Sequence, residues 1–484
     1  MAQGTDGRLV IVSNRGPVTF SRSEAGERTY SRGAGGLVTA LNAVSRRGED
    51  TVWIASAQGE EDARVAREGP EPYEVEDLRV VLVEHDAEAY DLMYNHLANP
   101  LLWFVQHGLY DLPYSPTLGD DTRRAWEEGY VPVNRNFAGA VARTVEGEEA
   151  PLVLLHDYQL YMTPLFVRER LGPDAFVSLF VHIPWPESDY WRVLPQYVRE
   201  GVLESLLAAD VVAFHTRGYA RNFAETAVRV LGVEYDAKKG AIHHEGREVW
   251  VRAYPISIDP AEFEELAGSE AVLEQEKFVK RLPGKLLLRV DRTDLSKNVV
   301  RGFQAYGRML ERHPEMAGEV TFLAQLQPSR TDVPEYAAYM EAVGRTAEEI
   351  NERHGTESWR PIELFMEDNF PRSVAAYKNF DVLLVNAVRD GMNLVAKESV
   401  IVNERDGVLV LSENAGAHEE LGEHALTVNP FDLDEQADAI YEALTMPQEE
   451  RRRRAEALRE TVRSNTIEDW VEAQMKDIAA YRGH

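Results

Sequence analysis

The sequence predicts an α/β protein of two doubly wound, Rossmann-like domains facing a central cleft. Three observations predict it. Short apolar runs alternate with helical segments over most of the 484 residues, the pattern of parallel sheets covered by helices. The chain is too long for one ordinary core, so roughly two or three domains are expected. Between two series of strands lies Tyr254-Pro255-Ile256-Ser257-Ile258-Asp259-Pro260, whose prolines break regular structure.

The first series opens with Leu9 to Ser13, and a helix over Leu37 to Val44 follows the glycines of Gly33-Ala34-Gly35-Gly36. It continues with Leu152 to Leu155, Phe176 to Val181 and Val211 to Phe214. The second series runs through Lys285 to Val290, Val320 to Gln325, Val382 to Val385 and Val408 to Leu411. Runs this short and apolar suit parallel strands buried on both faces. The expected domains are 1–256 and 257–464, with a last segment 465–484 where Asn465-Thr466 offers a cap to an amphipathic helix containing Trp470. The helix carrying Glu449-Glu450-Arg451-Arg452-Arg453-Arg454 reads as a solvated face with spaced ion pairs.

A formal net charge of -30 argues against nucleic acid or an anionic membrane surface as partner. It also means that any site for a phosphorylated substrate must concentrate its own Arg and Lys. There are no cysteines, which removes disulfides, thiolate metal sites and a cysteine nucleophile, and fits a reducing cytoplasm. Met1 to Gly7 lacks the apolar core of a signal peptide, and no apolar stretch approaches the ~20 residues that span a bilayer. A cytoplasmic protein is expected.

In doubly wound domains, ligands bind at the C-terminal ends of the strands. The run Arg389-Asp390-Gly391-Met392-Asn393-Leu394-Val395-Ala396-Lys397-Glu398 reads there as a strand end, a glycine turn and a helix start. The first amides of a helix lack intrahelical partners and, with the positive dipole end, attract anions. Asp390 can accept hydrogen bonds from sugar hydroxyls, and Glu398, two turns in, can reach a ribose. Arg292 and Lys297 in Asp291-Arg292-Thr293-Asp294-Leu295-Ser296-Lys297-Asn298 supply two cations beside a turn. A diphosphate leaving group requires such cations when no metal is supplied. Arg330 stands at another strand end.

In the first series, Arg15 follows the first strand directly, and a guanidinium suits a phosphate. His156-Asp157-Tyr158 and His182-Ile183-Pro184 end two further strands, with Asp157 able to orient an acceptor hydroxyl and His182 a sugar. Tyr94 and Trp103 can flank an acceptor. Gly33-Ala34-Gly35-Gly36 does not match GxGxxG, which disfavours a nicotinamide enzyme. His243-His244 are adjacent and no HExxH occurs, so no metal is expected. Neither a phosphate-loop lysine motif nor GxSxG is present.

Ser13-Asn14-Arg15, Gly35-Gly36-Leu37, His156-Asp157-Tyr158, His182-Ile183-Pro184, Arg292 with Ser296-Lys297, Pro328-Ser329-Arg330 and Arg389 to Glu398, taken in order, resemble trehalose-6-phosphate synthases. Asn414-Ala415-Gly416-Ala417 and Val428-Asn429-Pro430-Phe431-Asp432 extend the likeness over nearly the whole chain. Phe180 to Leu194 and Val402 to Asp406 look like the actinobacterial branch. The resemblance implies a retaining, metal-independent transferase of the GT-B fold with no cofactor, its C-terminal helix crossing back to the first domain. The donor would be UDP-, GDP- or ADP-glucose, the acceptor glucose 6-phosphate, and a homo-oligomer is common in the family.

By carry-over, Arg292 and Lys297 would bind the diphosphate, with Gly36 near it, and His182 the donor glucose. Asp390, Gly391, Met392 and Asn393, with Leu394 and Val395, would also hold the donor, and Glu398 its ribose. Arg15, Tyr94, Trp103, Asp157 and Arg330 would hold the acceptor. Asn298 departs from the glycine that many relatives have there. The resemblance leaves open a transferase making glucosylglycerol phosphate or a pseudo-disaccharide phosphate, and a non-catalytic sugar-phosphate sensor.

Overall fold

The structure, a computed structural model, describes residues 8–33, 36–45, 50–69 and 71–483. Met1 to Gly7, which carry the expectation of no signal peptide, and Ala34 and Gly35 of the glycine turn lie outside the described residues. The chain divides into two compact units, Met1–Pro255 with Glu468–His484, and Ile256–Ile467.

Among the described residues, the first unit's main sheet has ten strands. Its parallel core runs in the order Arg247–Ala253, Val211–Phe214, Phe176–Phe180, Leu152–His156, Leu9–Ser13, Val52–Ser56 and Leu78–Val83. Antiparallel partners flank both sides, Ala241–His244 with Glu234–Asp236 on one and Tyr73–Val75 on the other. Val10, Ile11, Val12, Val153 and Leu155 are fully buried, which is why these strands read as unbroken apolar runs. The order reverses at Leu9–Ser13: the next parallel strand lies on one side of it, and Leu152–His156 returns on the other, with Ser13 opposite His156. Such a reversal opens a crevice at the carboxyl ends of the two strands.

The closing helix Ile467–Arg482 contributes to this unit from Glu468 onward. Trp470 is buried with its ring 5.4 Å from that of Phe180. Asp477 accepts hydrogen bonds from Arg252 Nε at 3.0 Å and Tyr254 Oη at 2.7 Å.

The second unit holds a six-stranded sheet, parallel throughout, in the order Ile362–Met366, Val320–Gln327, Lys285–Arg292, Val382–Val385, Val408–Ser412 and Leu426–Val428. Numbered along the chain this is 3-2-1-4-5-6, with the reversal between Lys285–Arg292 and Val382–Val385. Helix Val299–Arg312 covers one face and sets Phe303, Tyr306 and Met309 among Leu287, Phe322 and Leu384, all buried. Truncating an aromatic here, such as Phe303, would cost about 3–5 kcal/mol through lost burial and the cavity left.

One surface reading needs correction. In helix Gln448–Arg463, Glu450 does pair with the exposed Arg453 and with the half-buried Arg454, which also donates to the carbonyls of His424 and Ala425. Arg451, however, is buried against Asp381 at 3.2 Å and donates to the carbonyls of Arg405 and Asp406. A run of four arginines on a helix spans more than one face, so one must turn inward. Among the described residues, no helix is long and apolar enough to cross a membrane.

Candidate active site

The reversal in the second sheet sets side by side the loops that leave Lys285–Arg292 and Val382–Val385. Arg292 ends the first strand. Asp294 then caps the turn Leu295–Lys297, accepting from the Ser296 amide at 2.9 Å and the Ser296 hydroxyl at 2.8 Å. From this turn the Lys297 ammonium reaches Asp390 Oδ2 at 2.5 Å and stands 3.8 Å from Asp291 Oδ1. Burial by itself would lower the Lys297 pKa. The carboxylates of Asp390 and Asp291 outweigh it and hold the group above its ordinary value, so it stays charged.

Arg289, fully buried in the strand, fixes the same loop from beneath. Its Nε bonds Asp291 at 2.9 Å, its Nη1 bonds Asn386 Oδ1 at 2.8 Å, and its Nη2 donates to the Lys297 carbonyl. Lys297 is therefore held at its backbone and at its charged tip. Asn298, next in the chain, has φ +60°, a region that asparagine tolerates better than most residues. Its amide donates to the carbonyls of Asn386 at 2.9 Å and Pro430 at 2.7 Å. The departure from glycine thus keeps the backbone conformation and adds two bonds.

The segment Asp390 to Asn393 is gripped by the loop that follows Val408–Ser412. The Asp390 amide donates to Asn414 O at 3.2 Å, Gly416 N to Asp390 O at 3.2 Å, and Ala417 N to Met392 O at 2.7 Å. A Cβ on Gly416 would lie 1.9 Å from the Gly391 carbonyl oxygen, so only glycine allows this approach. Asn393 has φ +76°, donates to Asp390 Oδ2 at 3.0 Å, and accepts from Ala396 N at 3.2 Å at the start of helix Val395–Val402.

Leu394 and Val395 lead into that helix half-buried. Glu398 lies in its first turn, not two turns in, because the helix starts only after the positive-φ residue. Burial pushes its carboxyl up to about 7, against a hydrogen bond from Tyr377 that lowers it.

Arg330 joins the same group of loops. It has φ +50°, and its Nη1 bonds Asp294 Oδ2 at 2.9 Å and also Tyr336 Oη. Its charge therefore neutralises a buried carboxylate, where the sequence suggested only a cation at a strand end.

In the first unit, Arg15 is exposed just past the strand Leu9–Ser13, and Asn14 beside it is buried. Asn14 donates to Tyr90 Oη at 3.1 Å and accepts from Ser56 Oγ at 3.0 Å. Tyr90 stacks on Tyr94, with ring centroids 5.7 Å apart, and so ties Tyr94 to the Arg15 turn. Tyr94 sits in the π-helical stretch Leu92–Leu102, which includes Pro100, and Trp103 opens the α-helical turn after it. Such π stretches recur at functional sites. Trp103 is buried, stacked on His107 at 4.0 Å and 5.6 Å from Tyr158.

Asp157 follows Leu152–His156 with φ +79°, a conformation costly for a residue with a Cβ. Its Oδ1 accepts the His182 amide at 3.2 Å. The His182 ring lies 3.1 Å from His156 Nδ1, stacks on Phe180 at 4.5 Å, and has His215 at 5.1 Å and Trp470 at 6.4 Å. Burial first, then His215 and His156, hold His182 well below 6.5, so it meets a ligand as a neutral ring. Gly36 starts helix Gly36–Ser45, while Ala34 and Gly35 before it fall outside the described residues.

Across residues 7–480 the sequence matches the family described as Glycosyltransferase family 20. The chain belongs to glycosyltransferase family 20. Its sheets and full-length alignments are those of the family's GT-B members. This family 20 chain is similar to the "Alpha,alpha-trehalose-phosphate synthase [UDP-forming]" of Schizosaccharomyces pombe, 34% identical over 96% of this chain and 88% of the relative. Among solved structures it resembles a trehalose-6-phosphate protein from E. coli bound with UDP-2-fluoro glucose. That likeness has a TM-score of 0.83 and 28% identity, over 97% of this chain and 98% of the other. It also resembles a UDP-forming trehalose-phosphate synthase from Burkholderia xenovorans in complex with glucose-6-phosphate, with a TM-score of 0.82 and 30% identity over 98% and 100% of the two chains.

Sequence reasoning about this family 20 chain passed over the groups that hold the candidates in place. Asp294, Arg289, Asn386, Tyr336 and Asn14 are buried polar residues that gain meaning only from their partners. A weak signal existed for one of them: Asp294-Leu295-Ser296 is the acid-x-Ser spacing of an Asx turn. For Arg289, inside an apolar strand, the anomaly itself was the signal.

Proposed function

We propose that the protein moves glucose from a nucleotide-glucose donor to glucose 6-phosphate, giving trehalose 6-phosphate and a nucleoside diphosphate. The observation that carries this reading is the meeting of Lys297, Asp390 and the Arg292 strand end at one sheet reversal, in a chain whose family relatives are named for that reaction. UDP-glucose is the first donor to test, since the named relatives are UDP-forming.

In this reading Arg292 and Lys297 take the diphosphate, with Gly36 close to it. Asp390 and the amides of Gly391, Met392 and Asn393, with Leu394 and Val395, hold the donor glucose together with His182, and Glu398 takes the ribose. Arg15, Tyr94 and Arg330 take the acceptor phosphate, Asp157 the acceptor sugar, and Trp103 flanks the acceptor. The first unit would thus be chiefly the acceptor domain and the second the donor domain.

Among these residues none is an obvious nucleophile for the anomeric carbon. The acceptor hydroxyl oxygen would form its bond to that carbon on the face the diphosphate leaves, as the carbon–oxygen bond to phosphate breaks. Its proton would pass to the departing phosphate oxygen, and configuration is retained. The side chains orient both sugars and absorb the charge that develops on the leaving group. The cytoplasmic location belongs to the same proposal, because both substrates are anions that do not cross a bilayer unaided.

The test is a matrix of UDP-, GDP- and ADP-glucose against glucose 6-phosphate, glycerol phosphate and a cyclitol phosphate, read by diphosphate release and product mass. Trehalose 6-phosphate as the main product supports the proposal. A different phosphorylated product, or no release with any pair, overturns it.

A further inference from the structure

Asp294 is fully buried, and its two oxygens face in different directions. Oδ1 accepts from the amide and hydroxyl of Ser296, at 2.9 and 2.8 Å, and so shapes the turn that ends in Lys297. Oδ2 accepts from Arg330 Nη1 at 2.9 Å and Tyr336 Oη at 3.1 Å. Tyr336 stands in the first turn of helix Pro334–His354, and Arg330 in the middle of the loop between strand Val320–Gln327 and that helix, so Oδ2 ties that loop and helix to the strand end. A buried carboxylate needs such bonds on both oxygens, since an unmet lone pair in this setting is costly.

We propose that Asp294 is a positioning residue on which two anion-binding groups are jointly built, the Lys297 turn through one oxygen and the Arg330 guanidinium through the other. This rests on the reading above, in which Lys297 serves the donor diphosphate and Arg330 the acceptor phosphate. Asp294 touches neither substrate. Its single carboxylate plane fixes the spacing of the two cations and couples the two binding steps: a ligand that draws Arg330 away loosens the same carboxylate that holds the Lys297 turn. The two loops follow different strands, Lys285–Arg292 and Val320–Gln327.

The experiment uses the full chain and three variants, with KM for nucleotide-glucose and for glucose 6-phosphate measured separately beside a melting curve. Ser296→Ala removes one bond on Oδ1 and is expected to raise the donor KM several-fold while leaving the acceptor KM unchanged. Tyr336→Phe removes one bond on Oδ2 and is expected to do the reverse. Asp294→Asn should raise both, by roughly tenfold or more each, the scale of a lost charge-assisted hydrogen bond.

A purely structural residue would lower the melting temperature and the active fraction without moving either KM. Folded Asp294→Asn protein with one or both KM values unchanged overturns the proposal. If that variant does not fold, unchanged KM values in both of the other two overturn it. Should the wild-type chain turn over no sugar donor, the functional reading falls. The proposal is then judged by calorimetric binding of UDP and of glucose 6-phosphate to the same proteins, where the same donor and acceptor split is expected. Binding of neither ligand by the wild type overturns it as well.

Discussion

The Lys297 ammonium sits 2.5 Å from Asp390 Oδ2, across 93 residues of sequence, and both groups are largely buried. In the proposed function this pairs the cation for the diphosphate with the carboxylate for the donor sugar. Asp390 helps keep Lys297 charged, and the bond between them orients both side chains. On that proposal a nucleotide-glucose would offer both a substitute, phosphate oxygens for the lysine and hydroxyls for the aspartate, leaving little reorganisation for the reaction itself.

Lys297→Ala is expected to lower kcat by about 10²–10³-fold, the scale for removing one group that stabilises a developing anion. Asp291 and Asp390 then lose their shared cation, so a fall in melting temperature accompanies the loss. Single-turnover diphosphate release checks the first effect and calorimetry the second. Near-normal turnover would remove Lys297 from the reaction.

Glu398 gives a pH dependence with a defined sign. Its folded-state pKa, about 7, lies above the ordinary carboxylate value of 4.5. Between these values the folded chain holds a proton that the unfolded chain has lost, so stability is greatest on the acid side and falls as pH rises through about 7. Glu398→Gln should flatten that slope in denaturant melts at pH 5 and pH 8. If Glu398 takes the ribose as proposed, nucleotide affinity should run the other way, rising from pH 6 to pH 8, because a hydroxyl donates to the ionised form. Titration of UDP with the wild type and the Gln variant measures it.

Asn298 should resist replacement by glycine, although its φ of +60° favours glycine. The backbone would relax by up to about 1 kcal/mol. The two lost bonds, to Asn386 O and Pro430 O, would leave buried carbonyls short of a donor at about 1–3 kcal/mol in total. Net destabilisation is expected in chemical denaturation of Asn298→Gly, with a greater loss for Asn298→Ala, which keeps the backbone strain.

Gly416→Ala places a methyl group 1.9 Å from the Gly391 carbonyl. The loop must move, and the Asp390-to-Met392 segment moves with it. Donor KM should rise by at least tenfold while glucose 6-phosphate KM stays within about twofold, since the proposed acceptor residues other than Arg330 lie in the first unit. Steady-state kinetics with each substrate varied in turn checks the split.

Much of the fold was legible in the sequence because parallel strands buried on both faces have to be short and apolar, and Leu152–His156 and Val382–Val385 are so without exception at their centres. The site loops were legible because a doubly wound sheet binds ligands just past such strands. Arg451 reads as solvated in the sequence because periodicity along a charged helix does not say which residue meets an acid from another element. Residue order puts Glu398 a turn too deep because a positive φ at Asn393, invisible in that order, delays the helix. The histidines around His182 carried no mark of their proximity, since His156, His182 and His215 end three different strands.

By itself the sequence determined the strand series, the kind of chemistry that its cations and carboxylates suit, and the residues that stand at strand ends. Those follow from local properties: apolar runs, turn-forming residues and side-chain charge. Only the tertiary structure decided that Lys297 meets Asp390, that Arg330 meets Asp294, and that Glu398 lies where burial raises its pKa. Electrostatic energy depends on distance and on exclusion of water, and both are set by how a sheet reversal folds distant loops together.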